Sequence, residues 1–280
     1  MERQGAVLTV RIDFRTDAGA LSARFTSETQ RVLEYPLDQV AFSSPNIHWQ
    51  QGDSAPLVFD GVVSEQRIAG TFRDGKESGT FSLRPIGVEP PPYRRDEITF
   101  RNGDVVLSGT LLRPSTSGLH PGIVFLHGSG PESRWGTSFF LADRFARAGI
   151  AALVFDKRGV GQSTGNWTTI NDEELAEDYV NAVRFLQQEP GVNAAHVGIY
   201  GHSQGGTISP LIASRPGAAN LRRARSQYSA SPKPCRNRER TAHCGESRLH
   251  TPNHSRSRPQ SDNPVGKIPT LLLVVLGAWL

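Results

Sequence analysis

The sequence predicts an α/β fold, a parallel sheet preceded by a small antiparallel β domain. Three observations carry this. Residues 8–14 and 21–26 alternate apolar with polar side chains (Leu8, Val10, Ile12, Phe14; Leu21, Ala23, Phe25), the period of a half-buried strand. Further on, the nearly all-apolar runs 122–126, 150–155 and 197–200 alternate with stretches of helical period, as buried parallel strands do with their crossovers. Between the two regions Glu89-Pro90-Pro91-Pro92 stiffens the chain. The expected division is an antiparallel accessory domain over 1–88, a Pro-rich linker over 89–93 and an α/β region over 94–217.

Within 1–88, further strands are expected at 56–63, 67–73 and 79–84, with turns at Asp60-Gly61 and Asp74-Gly75. Regular short strands of this kind suggest a sandwich, meander or barrel, and no reactive constellation is visible in them. In the α/β region, 97–100 and 105–112 read as strands joined by a turn at Asn102-Gly103-Asp104. A helix follows over 139–148, with Phe140, Leu141, Phe145 and Ala148 at helical spacing. Asn171 or Asp172 can cap a second helix, which acids favour at its positive end and Pro190 stops near 188. Right-handed crossovers would connect the strands.

Composition excludes several classes. Of 280 residues 37% are apolar and 21% charged, without the run of ~18 apolar residues a spanning helix needs. Two cysteines cannot staple a chain of this length. Residues 1–5 contain no apolar leader core, so the expected location is the cytoplasm unless a leader precedes them. The net charge of +4 is uneven: residues 221–267 carry +8 and the remainder −4. Low hydrophobicity and high charge make 218–267 read as disordered or out-of-frame sequence. Two other readings of that segment are weaker. Its arginines could contact phosphates nonspecifically, so no specific nucleic-acid partner is expected. Cys235, Cys244, His250 and His254 could hold zinc, but the C-x8-C spacing is wider than usual, so neither metal nor cofactor is expected. Residues 268–280 read as an isolated apolar strand.

Three motifs carry chemistry. Gly201-His202-Ser203-Gln204-Gly205 joins a strand to a helix, the setting of a nucleophile elbow. There Ser203 would stand on a tight turn, Gly201 and Gly205 would let backbone approach closely, and the Gln204 N–H would face a developing oxyanion. His127-Gly128-Ser129-Gly130-Pro131 follows a strand directly, and its Gly128–Ser129 backbone could complete the oxyanion hole. His127 reads as a structural residue, as does His202 inside the elbow. The third is the stretch from Asp156 to Ser163, Asp-Lys-Arg-Gly-Val-Gly-Gln-Ser, in which Asp156 is expected to pin the loop rather than to catalyse.

These motifs, in this order on successive strands, resemble the α/β-hydrolase fold, and most closely bacterial serine carboxylesterases that carry a β-rich domain before the core. The resemblance covers most of 1–217. It implies hydrolysis of a small carboxylic ester through an acyl-serine on Ser203, with Gln204, Gly128 and Ser129 as oxyanion donors. The family order, Ser then acid then His, implies both partners after Ser203. Residues 218–267 do not follow the family pattern. The strand-like stretch from Lys267 is followed by neither an acid nor a histidine. The sequence therefore carries two readings: a carboxylesterase-like hydrolase, and a truncated, non-catalytic chain whose β domain still folds or binds. It does not specify the ester or the oligomeric state.

Overall fold

The computed structural model describes residues 1–215 except 4–5 and 53–54. The segments 218–267 and 268–280, with Cys235, Cys244, His243, His250 and His254, lie outside the described residues. Ten strands build the N-terminal part: β1 (Glu2–Arg3), β2 (Ala6–Val7), β3 (Arg11–Asp17), β4 (Ala20–Ser27), β5 (Val32–Pro36), β6 (Asp38–Ser43), β7 (Asn46–Gln51), β8 (Leu57–Val63), β9 (Ile68–Asp74) and β10 (Glu77–Leu83). They form a seven-stranded sheet in the order β2-β1-β10-β9-β8-β7-β6 and a three-stranded sheet β3-β4-β5. Five consecutive strands, β6 to β10, pair as an antiparallel meander.

The buried face of the meander converges on Trp49, which has no solvent exposure. Its indole stacks on Phe59 at 5.1 Å and meets the edges of Phe14 and Phe81 at 5.5 and 5.2 Å. Offset and edge-on aromatic pairs of this kind add stabilisation beyond the area they bury.

The structure corrects one expected turn. Asp60-Gly61 lies in the middle of β8, paired with Thr71 and Gly70 of β9. Gly61 is there for packing, since a Cβ would stand 2.9 Å from the Phe81 ring. Gly70 is tighter still: its Cβ would stand 2.0 Å from the Asp60 carbonyl oxygen. Gly70→Ala is therefore expected to cost about 1–3 kcal/mol, an overpacking penalty. Gly87→Ala, which meets nothing within 4 Å, is expected to be near neutral. Urea unfolding midpoints of the two variants check this.

The second part comprises β11 (Tyr93–Asn102), β12 (Val105–Pro114), β13 (His120–Leu126), α1 (Thr137–Arg147), β14 (Ala151–Phe155), α2 (Asp172–Gln188), β15 (Val192–Gly201) and α3 (Gln204–Ala213). The sheet order is β11-β12-β14-β13-β15. β14, β13 and β15 run parallel, while β11 and β12 form an antiparallel hairpin at the edge. Strand alternation sends Ile123, Phe125, Ala152 and Val154 to one face, against Phe139, Ala142 and Ala146 of α1. It sends Val124, Leu126, Leu153 and Phe155 to the other, against Leu175, Tyr179 and Val183 of α2 and Ile208 of α3. The strand runs look continuously apolar because both faces are covered. This is an α/β arrangement, a mixed sheet with helices on both faces, with antiparallel sheets before it.

α2 starts at a capping box. The Asn171 side chain accepts the Glu174 N–H at 2.9 Å, and the Glu174 carboxylate accepts the Asn171 N–H at 3.2 Å. Its end is set by Pro190, which holds Glu189 in an extended conformation.

The two parts are joined by specific contacts. Leu33 of β5 forms an isolated bridge with Gly136, the residue before α1. Arg95 of β11 grips the Glu34 carboxylate through both terminal nitrogens. The Arg24 guanidinium lies 4.4 Å above the Trp135 ring, and Arg144 of α1 pairs with Glu28.

Candidate active site

In the sheet, β14 and β15 flank β13 on opposite sides. The connection leaving β13 leads to α1 on one face, and that leaving β15 leads to α3 on the other. The carboxyl ends of strands at such a reversal are where open α/β sheets bind ligands. Both glycine-rich motifs lie there.

Ser203 stands between the end of β15 and the first residue of α3, exposed, with φ 50° and ψ −117°. A non-glycine residue held at positive φ stores strain that the surroundings must enforce. They do so by close approach of backbone. A Cβ on Gly201 would stand 2.6 Å from the backbone of Gly205, and one on Gly205 would stand 2.7 Å from the His127 carbonyl oxygen. The elbow is thereby wedged against the end of β13. The Gln204 N–H belongs to the first turn of α3 and has no partner within the helix. The Gln204 side chain is tied down, its amide nitrogen donating to Asp172 at 2.8 Å.

The β13 motif faces the elbow across Gly128. A Cβ on Gly128 would stand 2.6 Å from a Glu132 carboxylate oxygen, 3.2 Å from the His202 ring and 3.4 Å from the Ser203 Cβ. The Gly128 N–H donates to Glu132 at 2.9 Å. The neighbouring Ser129 N–H meets no protein acceptor among the described residues. Lys157, 3% exposed, donates its ammonium to the Gly128 carbonyl at 3.0 Å.

His127 is enclosed. Its Nε2–H donates to the Phe155 carbonyl at 2.6 Å, and its backbone N–H donates to the Tyr179 hydroxyl at 3.0 Å. The Tyr179 O–H in turn faces Nδ1 at 3.3 Å. This pattern suits the neutral ring. Burial pushes the His127 pKa below the ordinary 6.5, against the opposing pull of the Phe155 carbonyl. The unfolded chain thus binds a proton near pH 6.5 that the fold refuses. The stability contributed by neutral His127 is complete above about pH 6.5 and declines as pH falls below it. Melting temperatures between pH 7.5 and 5.5 should show this decline, and His127→Gln should flatten it.

Asp156 anchors a buried network. It accepts the Arg134 backbone N–H at 2.9 Å, the Arg134 Nη2 at 3.0 Å and the Gln162 backbone N–H at 3.0 Å. Arg134, 1% exposed, also donates to Glu97 at 2.7 Å and Ser108 at 3.0 Å. On the outer side of this network lies a cleft of about 650 Å³, lined by Arg24, Trp135 and Glu97 among others but not by Ser203.

The sequence reading missed Arg134, Glu132 and Tyr179. Glu132 and Arg134 sit just past the His127 motif, where a signal existed: charged residues in a loop leaving a buried strand. Tyr179 carries no such signal, because its hydroxyl meets His127 from a helix 52 residues away.

Among the described residues no hydrogen bond reaches the Ser203 hydroxyl. His48 is bound to Asp60 at 2.8 Å in the meander, and His120 to the Gly149 carbonyl at 3.1 Å. His127 is occupied as above. Among the described residues no three His, Cys, Asp or Glu side chains gather to hold a metal, and no helix is long and apolar enough to cross a membrane.

Comparison with known proteins adds independent findings. Residues 120–223 match the family model described as serine aminopeptidase, S33. Over 175 residues the chain is 31% identical to the esterase EstD of Thermotoga maritima, covering 60% of this chain and 40% of that protein. It is 35% identical over 111 residues to the quorum-quenching protein AidA of Acinetobacter baumannii, covering 39% of this chain and 36% of that one. Over 69 residues it is 38% identical to the thiohydrolase aneE of Aspergillus aculeatus, covering 24% and 22% of the two chains. The chain thus spans well under half the length of each of these curated relatives.

Proposed function

We propose that the chain is an esterase-like α/β hydrolase, the reading its similarities support, and that it hydrolyses small carboxylic esters through an acyl-serine on Ser203. The observation that carries this reading is the exposed, positive-φ Ser203 wedged between Gly201 and Gly205 at the end of β15. In the proposed reaction the Ser203 hydroxyl attacks the ester carbonyl while a histidine removes its proton. The oxyanion settles on the Gln204 and Ser129 N–H groups, because Glu132 already holds the Gly128 N–H. Collapse expels the alcohol, and water then releases the acid. The family order puts the acid and histidine after Ser203. Three histidines follow it, all outside the described residues.

A second reading rests on the unengaged Ser203 hydroxyl: a chain that keeps the elbow without turning over substrate. Hydrolysis of p-nitrophenyl butyrate by the 280-residue chain and by Ser203→Ala separates the two. Serine-dependent turnover supports the esterase. A soluble chain inert in both forms supports the second reading.

A further inference from the structure

We propose that Lys157 is a positioning residue that locks the Gly128–Ser129 peptide so that the Ser129 N–H is presented to the oxyanion; this rests on the serine-hydrolase reading above. Lys157 is 3% exposed, and its ammonium donates to the Gly128 carbonyl at 3.0 Å. Burying an ammonium is costly, and apolar side chains hold strand-end loops more cheaply. Its place is better explained by what it grips.

The Gly128–Ser129 peptide is trans, so its C=O and N–H point in opposite directions within one plane. Fixing the Gly128 oxygen therefore fixes the direction of the Ser129 N–H. The loop needs such a lock. One of the two torsions about which this peptide turns belongs to Gly128, which has no side chain to restrain it. The division of labour is visible in the hydrogen bonds. The Gly128 N–H is taken by Glu132, while the Ser129 N–H has no protein acceptor among the described residues.

The same ammonium reaches the Gln204 side chain at 3.4 Å, and that side chain donates to Asp172. One cation thus bridges the Gly128–Ser129 peptide and the Gln204 side chain, the two segments that carry the proposed oxyanion donors. Burial pushes the Lys157 pKa below its ordinary value, and the charges of Glu132 and Asp172 oppose that pull. A cation beyond the Gly128 oxygen also polarises the peptide, strengthening the Ser129 N–H as a donor.

The test compares the parent chain, Ser203→Ala, Lys157→Met and Lys157→Arg in p-nitrophenyl butyrate hydrolysis. In Lys157→Met, kcat should fall about 10²-fold, the scale of losing one oxyanion donor, with KM within about two-fold. Lys157→Arg, which keeps a charged donor, should recover at least about ten-fold of that loss. A kcat within about three-fold of the parent, a loss confined to KM, or equal loss in both variants would overturn the proposal. The serine reading fails separately if Ser203→Ala hydrolyses as fast as the parent.

A second readout needs no turnover. In chains labelled with ¹⁵N-serine, the Ser129 amide peak, assigned through Ser129→Ala, should move in Lys157→Met. An unmoved peak means the peptide keeps its orientation without the lysine and sinks the idea. Should the methionine variant not fold, the same peak in Lys157→Arg carries the test, since the guanidinium must re-seat the Gly128 carbonyl.

Discussion

Ser203→Ala is expected to lower kcat for p-nitrophenyl esters on the order of 10⁶-fold, while circular dichroism and melting temperature stay near those of the parent. The size follows from the way a serine, its base and its acid act as one unit: losing the nucleophile costs about as much as losing all three. The lack of a stability penalty follows from the geometry. Ser203 is exposed and no hydrogen bond reaches its hydroxyl among the described residues, so alanine removes nothing the fold uses. Relief of positive-φ strain is not expected, because alanine suffers the same backbone clash as serine. A residual rate would reflect the oxyanion donors and substrate binding alone. Equal hydrolysis by both proteins would place the chemistry elsewhere.

Arg134→Met is expected to destabilise the fold by about 3–5 kcal/mol, a fall of roughly 6–20 °C in melting temperature for a chain of this size. Asp156 and Arg134 are both almost fully buried, and the guanidinium is shared among Asp156, Glu97, Ser108 and Gln162. Methionine fills a similar volume but leaves the Asp156 carboxylate with backbone donors and no cation. The double variant Arg134→Met/Asp156→Asn should be more stable than the sum of its parts, since the second change removes the stranded charge. Denaturant unfolding of the four proteins measures the coupling. Additive losses would mean that the pair contributes as two unrelated packing groups.

The legibility of the chain was uneven for physical reasons. β13, β14 and β15 could be read because both their faces are covered, which leaves compact apolar runs flanked by glycine. The tight turn at Ser203 could be read because backbone contact at Gly201 and Gly205 tolerates no side chain. Residues 32–51 were not read, although they hold three strands and Trp49, the centre of the N-terminal core. Their alternation is interrupted: the register shifts between Phe25 and Ser27 and again between Asp38 and Ala41, and Glu34 and Gln39 sit at positive φ. Each irregularity turns the next side chain to the other face and breaks the period of two on which strand recognition depends. Asp60-Gly61 misled in the opposite direction. A dipeptide that usually marks a turn is here a mid-strand opening for Phe81. The Arg134–Asp156 network was beyond sequence reading because its members reach Arg134 from strands and loops 22 to 37 residues away.

The bridge from Leu33 to Gly136 has a consequence for how such a chain can change over generations. The loop that carries Glu132 and Arg134 is held at its far end by β5, and Glu34 and Arg24 reach Arg95 and Trp135 from the same side. The β-rich front and the α/β core are therefore expected to be inherited as one block. Recombination that exchanged the front for another β unit would have to restore a strand edge, a buried carboxylate and a stacked guanidinium together. Ancestry inferred for the core can be expected to hold for the front as well.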